Sequence, residues 1–134
     1  REPHHFPILA AFVRQCSEPV SIWCCGASTG EEAYSIAITL VEALGPHAKT
    51  AKVFATDIDT HAISRARAAV YSYDRVAKLE PHRLKRFFLR GRGAHAGQVK
   101  VKPEIANMVT FDTLNLFAPT WPIREKFDAI FCRN

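Results

Sequence analysis

One stretch of this chain dictates its fold: an apolar run, a small-residue turn, a long amphipathic run and a second apolar run, all within residues 20–57. Positions 20–25 combine β-branched and aromatic residues with two cysteines between Pro19 and Gly26, the pattern of a buried strand. Gly26-Ala27-Ser28-Thr29-Gly30 follows as a tight turn. Ala33, Ile36, Ala37, Leu40, Val41 and Leu44 then recur at helical spacing until Gly45-Pro46 ends the run. A second strand is predicted over 52–56. Asp57-Ile58-Asp59-Thr60 leads from it into another helix, with Ala62, Ile63 and Ala66 inward. Strand, glycine turn, helix, strand is half of a mononucleotide-binding unit, so the fold class is α/β with a Rossmann-like sheet.

The flanks are less regular. Residues 7–16 read as a short helix, with Pro7 in the first turn and Ile8, Leu9, Phe12, Val13 and Cys16 on one face. From Tyr71 the pattern breaks. A short helix is predicted over 81–88, then two short strands, 87–90 and 98–102, around the loop 91–97. These form a small antiparallel β-subdomain inserted at approximately 86–103. Buried strands resume at 108–111 and 127–132. A four-stranded sheet ending at Arg133-Asn134 reads as part of a larger domain.

Charge singles out the insertion. Between Pro81 and Pro103 lie Arg83, Lys85, Arg86, Arg90, Arg92, Lys100 and Lys102 and no acid, while the rest of the chain holds 11 bases against 13 acids. That segment carries the whole excess of +5 and suits either an anionic partner or a solvated face. No apolar run reaches the roughly 20 residues of a membrane span, and the polar start is no signal peptide, which predicts a soluble, cytoplasmic chain. Cys16, Cys24, Cys25 and Cys132 contain no C-x-x-C pair, so zinc and thiol-redox chemistry are not expected and the four read as reduced, structural thiols. No metal is expected.

In such a fold the ligand sits beyond the carboxyl ends of neighbouring strands, beside the glycine turn and Asp57. Small residues in the turn let backbone approach a ligand closely. The turn is neither G-x-G-x-x-G nor a phosphate loop; Glu31 and Glu32 occupy the helix start instead. Carboxylates there complement the helix dipole, and they also repel a pyrophosphate. A ligand with an amino group, a sulfonium and ribose hydroxyls fits better, and S-adenosylmethionine has all three. Asp57, 27 positions after Gly30, is placed to accept from both ribose hydroxyls, although Asp57, Asp59 or Thr60 must also cap the next helix.

With those residues in hand, the sequence resembles the chemotaxis receptor methyltransferases of the CheR type. The resemblance rests on Arg1-Glu2-x-His4-His5-Phe6-Pro7, on Ala27-Ser28-Thr29-Gly30-Glu31-Glu32-Ala33-Tyr34-Ser35-Ile36-Ala37, on Phe54-Ala55-Thr56-Asp57-Ile58-Asp59, and on Phe127-Asp128-Ala129-Ile130-Phe131-Cys132-Arg133-Asn134. It implies that residues 1–134 are part of a methyltransferase domain that transfers a methyl group from S-adenosylmethionine to glutamate side chains of chemoreceptors, leaving S-adenosylhomocysteine. The cofactor set it implies is Arg1, Gly26, Ala27, Ser28, Gly30, Glu31, Asp57, Ile58, Asn115 and Leu116, with Arg1 and Glu31 holding the cofactor, Asp57 on the ribose and Asn115-Leu116 by the adenine. Arg133 and Asn134 are candidates to position the incoming carboxylate, and no general base is expected. The insertion resembles a subdomain that binds a short peptide at the receptor's C-terminus, here through Arg90, Gly91, Gly93, Gly97 and Lys100. Lys100 stands where arginine is expected, which removes a bidentate contact. The resemblance also implies an N-terminal helical domain before Arg1, and further C-terminal strands with a tyrosine shortly after Asn134, all outside this sequence.

Rival readings are weaker. A nucleic-acid methyltransferase or binder would use the basic segment, but only Phe87 and Phe88 there are fit to stack on bases. A nicotinamide oxidoreductase lacks its glycine fingerprint. A non-catalytic binder of the receptor tail, keeping the cofactor site as scaffold, remains the alternative.

Overall fold

The computed structural model describes residues 4–121, 123 and 125–132. Helix α1 spans His5–Val13, strand β1 Ser21–Cys25, helix α2 Glu31–Leu44, strand β2 Lys52–Asp57 and helix α3 Thr60–Ala68. Strand β3 (Val70–Ser72), helix α4 (Pro81–Phe87), strands β4 (Phe88–Arg90) and β5 (Gln98–Val101) and helix α5 (Pro103–Ala106) follow. Strands β6 (Val109–Thr113) and β7 (Ala129–Cys132) complete the described chain.

Two sheets result. The first is parallel throughout, in the order β6-β2-β1-β7. The crossovers through α2 and α3 both step away from β1 in one direction, and right-handed connections therefore put both helices on one face. The chain then reverses and adds β7 on the other side of β1. The point of reversal lies between β1 and β7, where open α/β sheets bind ligands. The second sheet is antiparallel, in the order β3-β5-β4.

The main core fills the space between the first sheet and its helices. Ile22, Cys24, Val53 and Ala55 from β1 and β2 meet Ile36, Ala37 and Leu40 of α2 and Ile63 and Ala66 of α3. Alternation along β1 sends Trp23 and Cys25 to the opposite face, where Leu114, Phe54 and Phe127 surround them. Trp23 donates its indole N–H to the Thr56 hydroxyl at 3.0 Å, which satisfies both buried groups. Tyr34 donates to the Ala66 carbonyl at 2.7 Å, and burial pushes its phenol up to about 12. Tyr34→Phe is expected to cost only about 1 kcal/mol in a denaturant titration, because the Ala66 carbonyl keeps the Ala69 N–H as a second donor.

Four expectations need correction. Among the described residues strands β6 and β7 flank the sheet and are only partly buried: Phe111 alone is buried in the first, and Ile130 and Cys132 are exposed in the second. Helix α1 ends at Val13 and buries only Leu9 and Val13, leaving Ile8 and Phe12 exposed. Those two residues face a groove shared with β7 instead of the core. The small sheet has a third strand, 70–72, before the predicted insertion. It escaped notice because Ala69, in the left-handed region at φ 61°, turns the chain between α3 and β3 without a glycine. Proline at the start of α5 opens a further short helix that the sequence did not announce.

Candidate cofactor site

The loop after β1 is held by backbone bonds before any ligand is considered. Ala27 N–H donates to the Thr56 carbonyl at 2.8 Å, tying the turn to the end of β2, and Gly30 N–H donates to Ala27 O at 3.0 Å. Ser28 takes a left-handed conformation, φ 52°, and its N–H donates to Asp57 Oδ2 at 2.8 Å. The other carboxylate oxygen, Oδ1, accepts the Asp59 N–H at 2.9 Å. Asp57 is thus locked between two main-chain donors, with one lone-pair direction on each oxygen still available.

The capping ambiguity resolves in the same place. Asp59 caps α3, its Oδ1 accepting from His61 N–H at 2.9 Å and Ala62 N–H at 3.1 Å. Asp57 is therefore not needed as the helix cap. Its own carbonyl accepts the Leu114 N–H at 3.0 Å, which brings the segment after β6, with Asn115 and Leu116, beside it. The Asn115 side chain is engaged by the Phe117 N–H, and the Leu116 carbonyl by the Trp121 indole. Ile58 stands 63% exposed at the rim. Gly26, Ala27, Ser28, Gly30, Asp57, Ile58, Asn115 and Leu116 are in this way gathered at the carboxyl ends of β1, β2 and β6. Arg1, Arg133 and Asn134 lie outside the described residues.

Glu31 is the exception within the set. Its carboxylate is taken by the Thr29 hydroxyl on one oxygen and the Arg75 guanidinium on the other. Arg75 belongs to a short 3-10 turn, Tyr73–Arg75, that follows β3, so the small sheet reaches back to the main fold here. Tyr71 does the same, donating to the Thr29 carbonyl at 2.7 Å. Glu31 stands where the turn meets a cavity of about 650 Å³ bordered by Tyr34, Ile38, Tyr71, Arg75 and Phe87. Arg75 and Tyr71 are contacts the sequence reading missed. They lie 44 and 42 positions from their partners, beyond the reach of any local pattern.

The basic segment is only partly free. Arg83 makes two bonds to Glu42, at 2.9 and 3.0 Å, fixing α4 to α2. Arg90 lies over the Tyr73 ring, 4.8 Å from its centroid. Arg90, Gly91 and Lys100 border a second cavity of about 550 Å³ with Val70, Leu89, Arg92 and His95. Gly93 and Gly97 shape the loop between β4 and β5, with φ of 57° and 83°.

An acid at the second strand end, beside the topological switch point of a parallel sheet, and an acidic helix start in place of a phosphate loop suit a nucleoside-bearing ligand better than a pyrophosphate. Comparison with known proteins carries this further. The family described as CheR methyltransferase, SAM binding domain matches residues 1–134, and the chain belongs to that family. The chain is 50% identical over 134 residues to a chemotaxis protein methyltransferase of Klebsiella aerogenes, covering all of this chain and 46% of that protein. It is 48% identical over 134 residues to that of Escherichia coli K12, covering all of this chain and 47% of the relative. Against chemotaxis protein methyltransferase 2 of Pseudomonas aeruginosa it is 49% identical over 137 residues, covering all of this chain and 49% of the relative. The chain therefore spans about half the length of the curated relatives it matches. S-adenosylmethionine is the cofactor of this domain family. Among the described residues, no helix is long and apolar enough to cross a membrane.

Proposed function

We propose that this chain is the cofactor-binding part of a cytoplasmic enzyme that methylates glutamate side chains of chemoreceptors. The observation that supports the reading is Asp57 at the end of β2, whose two oxygens accept from the Ser28 and Asp59 N–H groups and each keep a lone pair for a ligand. S-adenosylmethionine supplies a methyl group on a cationic sulfur, ready for attack by a nucleophile. Asp57 accepts from the ribose hydroxyls, and Glu31 exchanges Arg75 for the cofactor's ammonium group. The turn 26–30 lies beside the cofactor, with Gly26 carrying no side chain to hold it off. Asn115 and Leu116 border the adenine with Ile58 at the rim, and Arg1 helps hold the cofactor.

The acceptor needs no general base. A glutamate of ordinary pKa, about 4.3, is already ionised at neutral pH. Orientation of carboxylate oxygen, methyl and sulfur is then the protein's task, and well-aligned pairs gain roughly 7–11 kcal/mol from it. Arg133 and Asn134, following β7, position the incoming carboxylate. The reading is tested by titrating S-adenosylhomocysteine into the protein by calorimetry, with NADH as control. Saturable binding of the first and none of the second supports it; a folded protein that binds neither rejects it.

The small sheet favours a second role, capture of the receptor's C-terminal peptide. Strands β3 and β4 are its edges, and an extended peptide adds to such an edge through main-chain bonds. Arg90 and Lys100 supply the charge for a terminal carboxylate, with Gly91, Gly93 and Gly97 leaving room for its backbone. A peptide with the last residues of the cognate receptor is expected to bind at least fivefold more weakly to Arg90→Glu, and more weakly when its C-terminus is amidated. Equal affinity in all three titrations argues against this role.

A further inference from the structure

The four cysteines differ in their settings. Cys25 and Cys132 are direct partners in the parallel ladder between β1 and β7, so their side chains leave the sheet on the same face. Both are the last residues of their strands, one on each side of the switch point. Cys132 is exposed and Cys25 is 2% exposed beside it. Cys24 points to the other face, into the main core, and Cys16 lies beyond α1.

We infer that Cys25 and Cys132 form a reversible redox pair, in which oxidation by a peroxide joins the two strand ends across the mouth of the cofactor crevice. Cys132 reacts first because it alone of the two meets solvent. Its sulfur attacks one peroxide oxygen, forming an S–O bond and breaking the O–O bond, and the departing hydroxide leaves as water with the thiol proton. The Cys25 sulfur then attacks the Cys132 sulfur, forming the S–S bond and breaking S–O, and the second hydroxide takes the Cys25 proton. Two electrons pass from the two thiols to the peroxide and two waters result. Burial, with Cys132 adding to it, pushes the Cys25 thiol up to about 12, which disfavours Cys25 as the first of the two to meet the peroxide.

The geometry also makes the bond labile. Neighbouring strands run about 4.8 Å apart. That spacing is within the Cα separation a disulfide accepts, roughly 4.4–6.8 Å, but Cβ atoms at the same spacing exceed the usual 3.5–4.5 Å. The strands must draw together by a few tenths of an ångström, and strained disulfides are the readily reduced, regulatory ones. Closing happens at the residue before Gly26, where the turn must stay open to receive a ligand. The thiol chemistry stands on the strand register alone; its effect on binding rests on the cofactor reading above.

The test is a peptide map of the full chain after hydrogen peroxide, without reductant, alongside calorimetry with S-adenosylhomocysteine. The expected product is a Cys25–Cys132 disulfide, about 2 Da lighter than the two thiols, with affinity at least tenfold weaker and restored by dithiothreitol. Cys25→Ala is expected to leave Cys132 as a sulfenic acid that dimedone traps, with no disulfide at that position. Unchanged thiols, a Cys132 bridge between two chains, or a disulfide that leaves affinity unaltered would each overturn the inference. Should the reduced protein fail to bind S-adenosylhomocysteine, the cofactor reading falls, and the peptide map still decides whether the pair exists; wild-type protein alone suffices for that map.

Discussion

Asp57→Ala is expected to weaken S-adenosylhomocysteine binding at least thirtyfold. Hydrogen bonds to a charged acceptor contribute about 1.5–3 kcal/mol each, and about 1.4 kcal/mol is a tenfold change in affinity. Two ribose hydroxyls would lose their acceptor together. The substitution also releases the Ser28 N–H, so the left-handed turn at that residue loses its anchor and part of the preorganised loop with it. Asparagine should recover little. Both carboxylate oxygens already face main-chain donors, and an amide must turn its NH₂ toward one of them. Calorimetry on both variants, with thermal unfolding as a check on folding, settles the matter: affinity within threefold of wild type in a folded Asp57→Ala protein would remove Asp57 from the cofactor site.

Gly30→Ala is expected to be the most destabilising small substitution in the site. Gly30 sits at φ +97°, and a Cβ there would lie 2.9 Å from Ala66 Cβ, 3.0 Å from the Tyr71 hydroxyl and 3.2 Å from Phe111 Cζ. A left-handed conformation costs an alanine roughly 1–2 kcal/mol. Overpacking adds about 1–3 kcal/mol, because the nearest atoms belong to the buried Ala66 of α3 and to a side chain that is itself hydrogen-bonded. A total of about 3 kcal/mol corresponds to a fall in melting temperature of roughly 10 °C or more for a domain of this size. Gly93→Ala is the matched control: φ is +57°, but nothing lies within 4 Å of the added carbon, so only the backbone strain should register. Equal melting temperatures for the two variants would show that the close approach at Gly30 is unimportant.

The parts of the fold that the sequence disclosed are those whose signals are local. Helix α2 was legible because its apolar residues repeat every turn between two glycines, and β1 and β2 because each is a short apolar run with clear punctuation. The inward residues of α3 were equally legible, and Ala62, Ile63 and Ala66 are buried as that periodicity predicts. Strand β3 was not, since three residues directly after a helix leave no pattern and a non-glycine residue makes the turn. The apolar face of α1 misled for another reason: periodicity reports an apolar stripe but not whether anything covers its edges. Within the site, the small residues of the turn and the acid at the end of β2 were readable from spacing. The Glu31–Arg75 pair and the Cys25–Cys132 register were not. Each depends on the order in which distant segments come to lie side by side, because an open sheet brings strand ends together regardless of their separation along the chain.

The Tyr71 hydroxyl has a consequence for how domains built this way diversify. It crosses from the small sheet to the Thr29 carbonyl in the glycine turn, and together with the Arg75–Glu31 pair it ties the small sheet to the loop after β1. A recombination event that replaced the small sheet wholesale would remove the strut that supports the turn after β1. Exchange of sequence in the small sheet is therefore easiest C-terminal to this tyrosine, within β4, β5 and the loop between them. Chimeras cut before Val70 should carry a loosened turn.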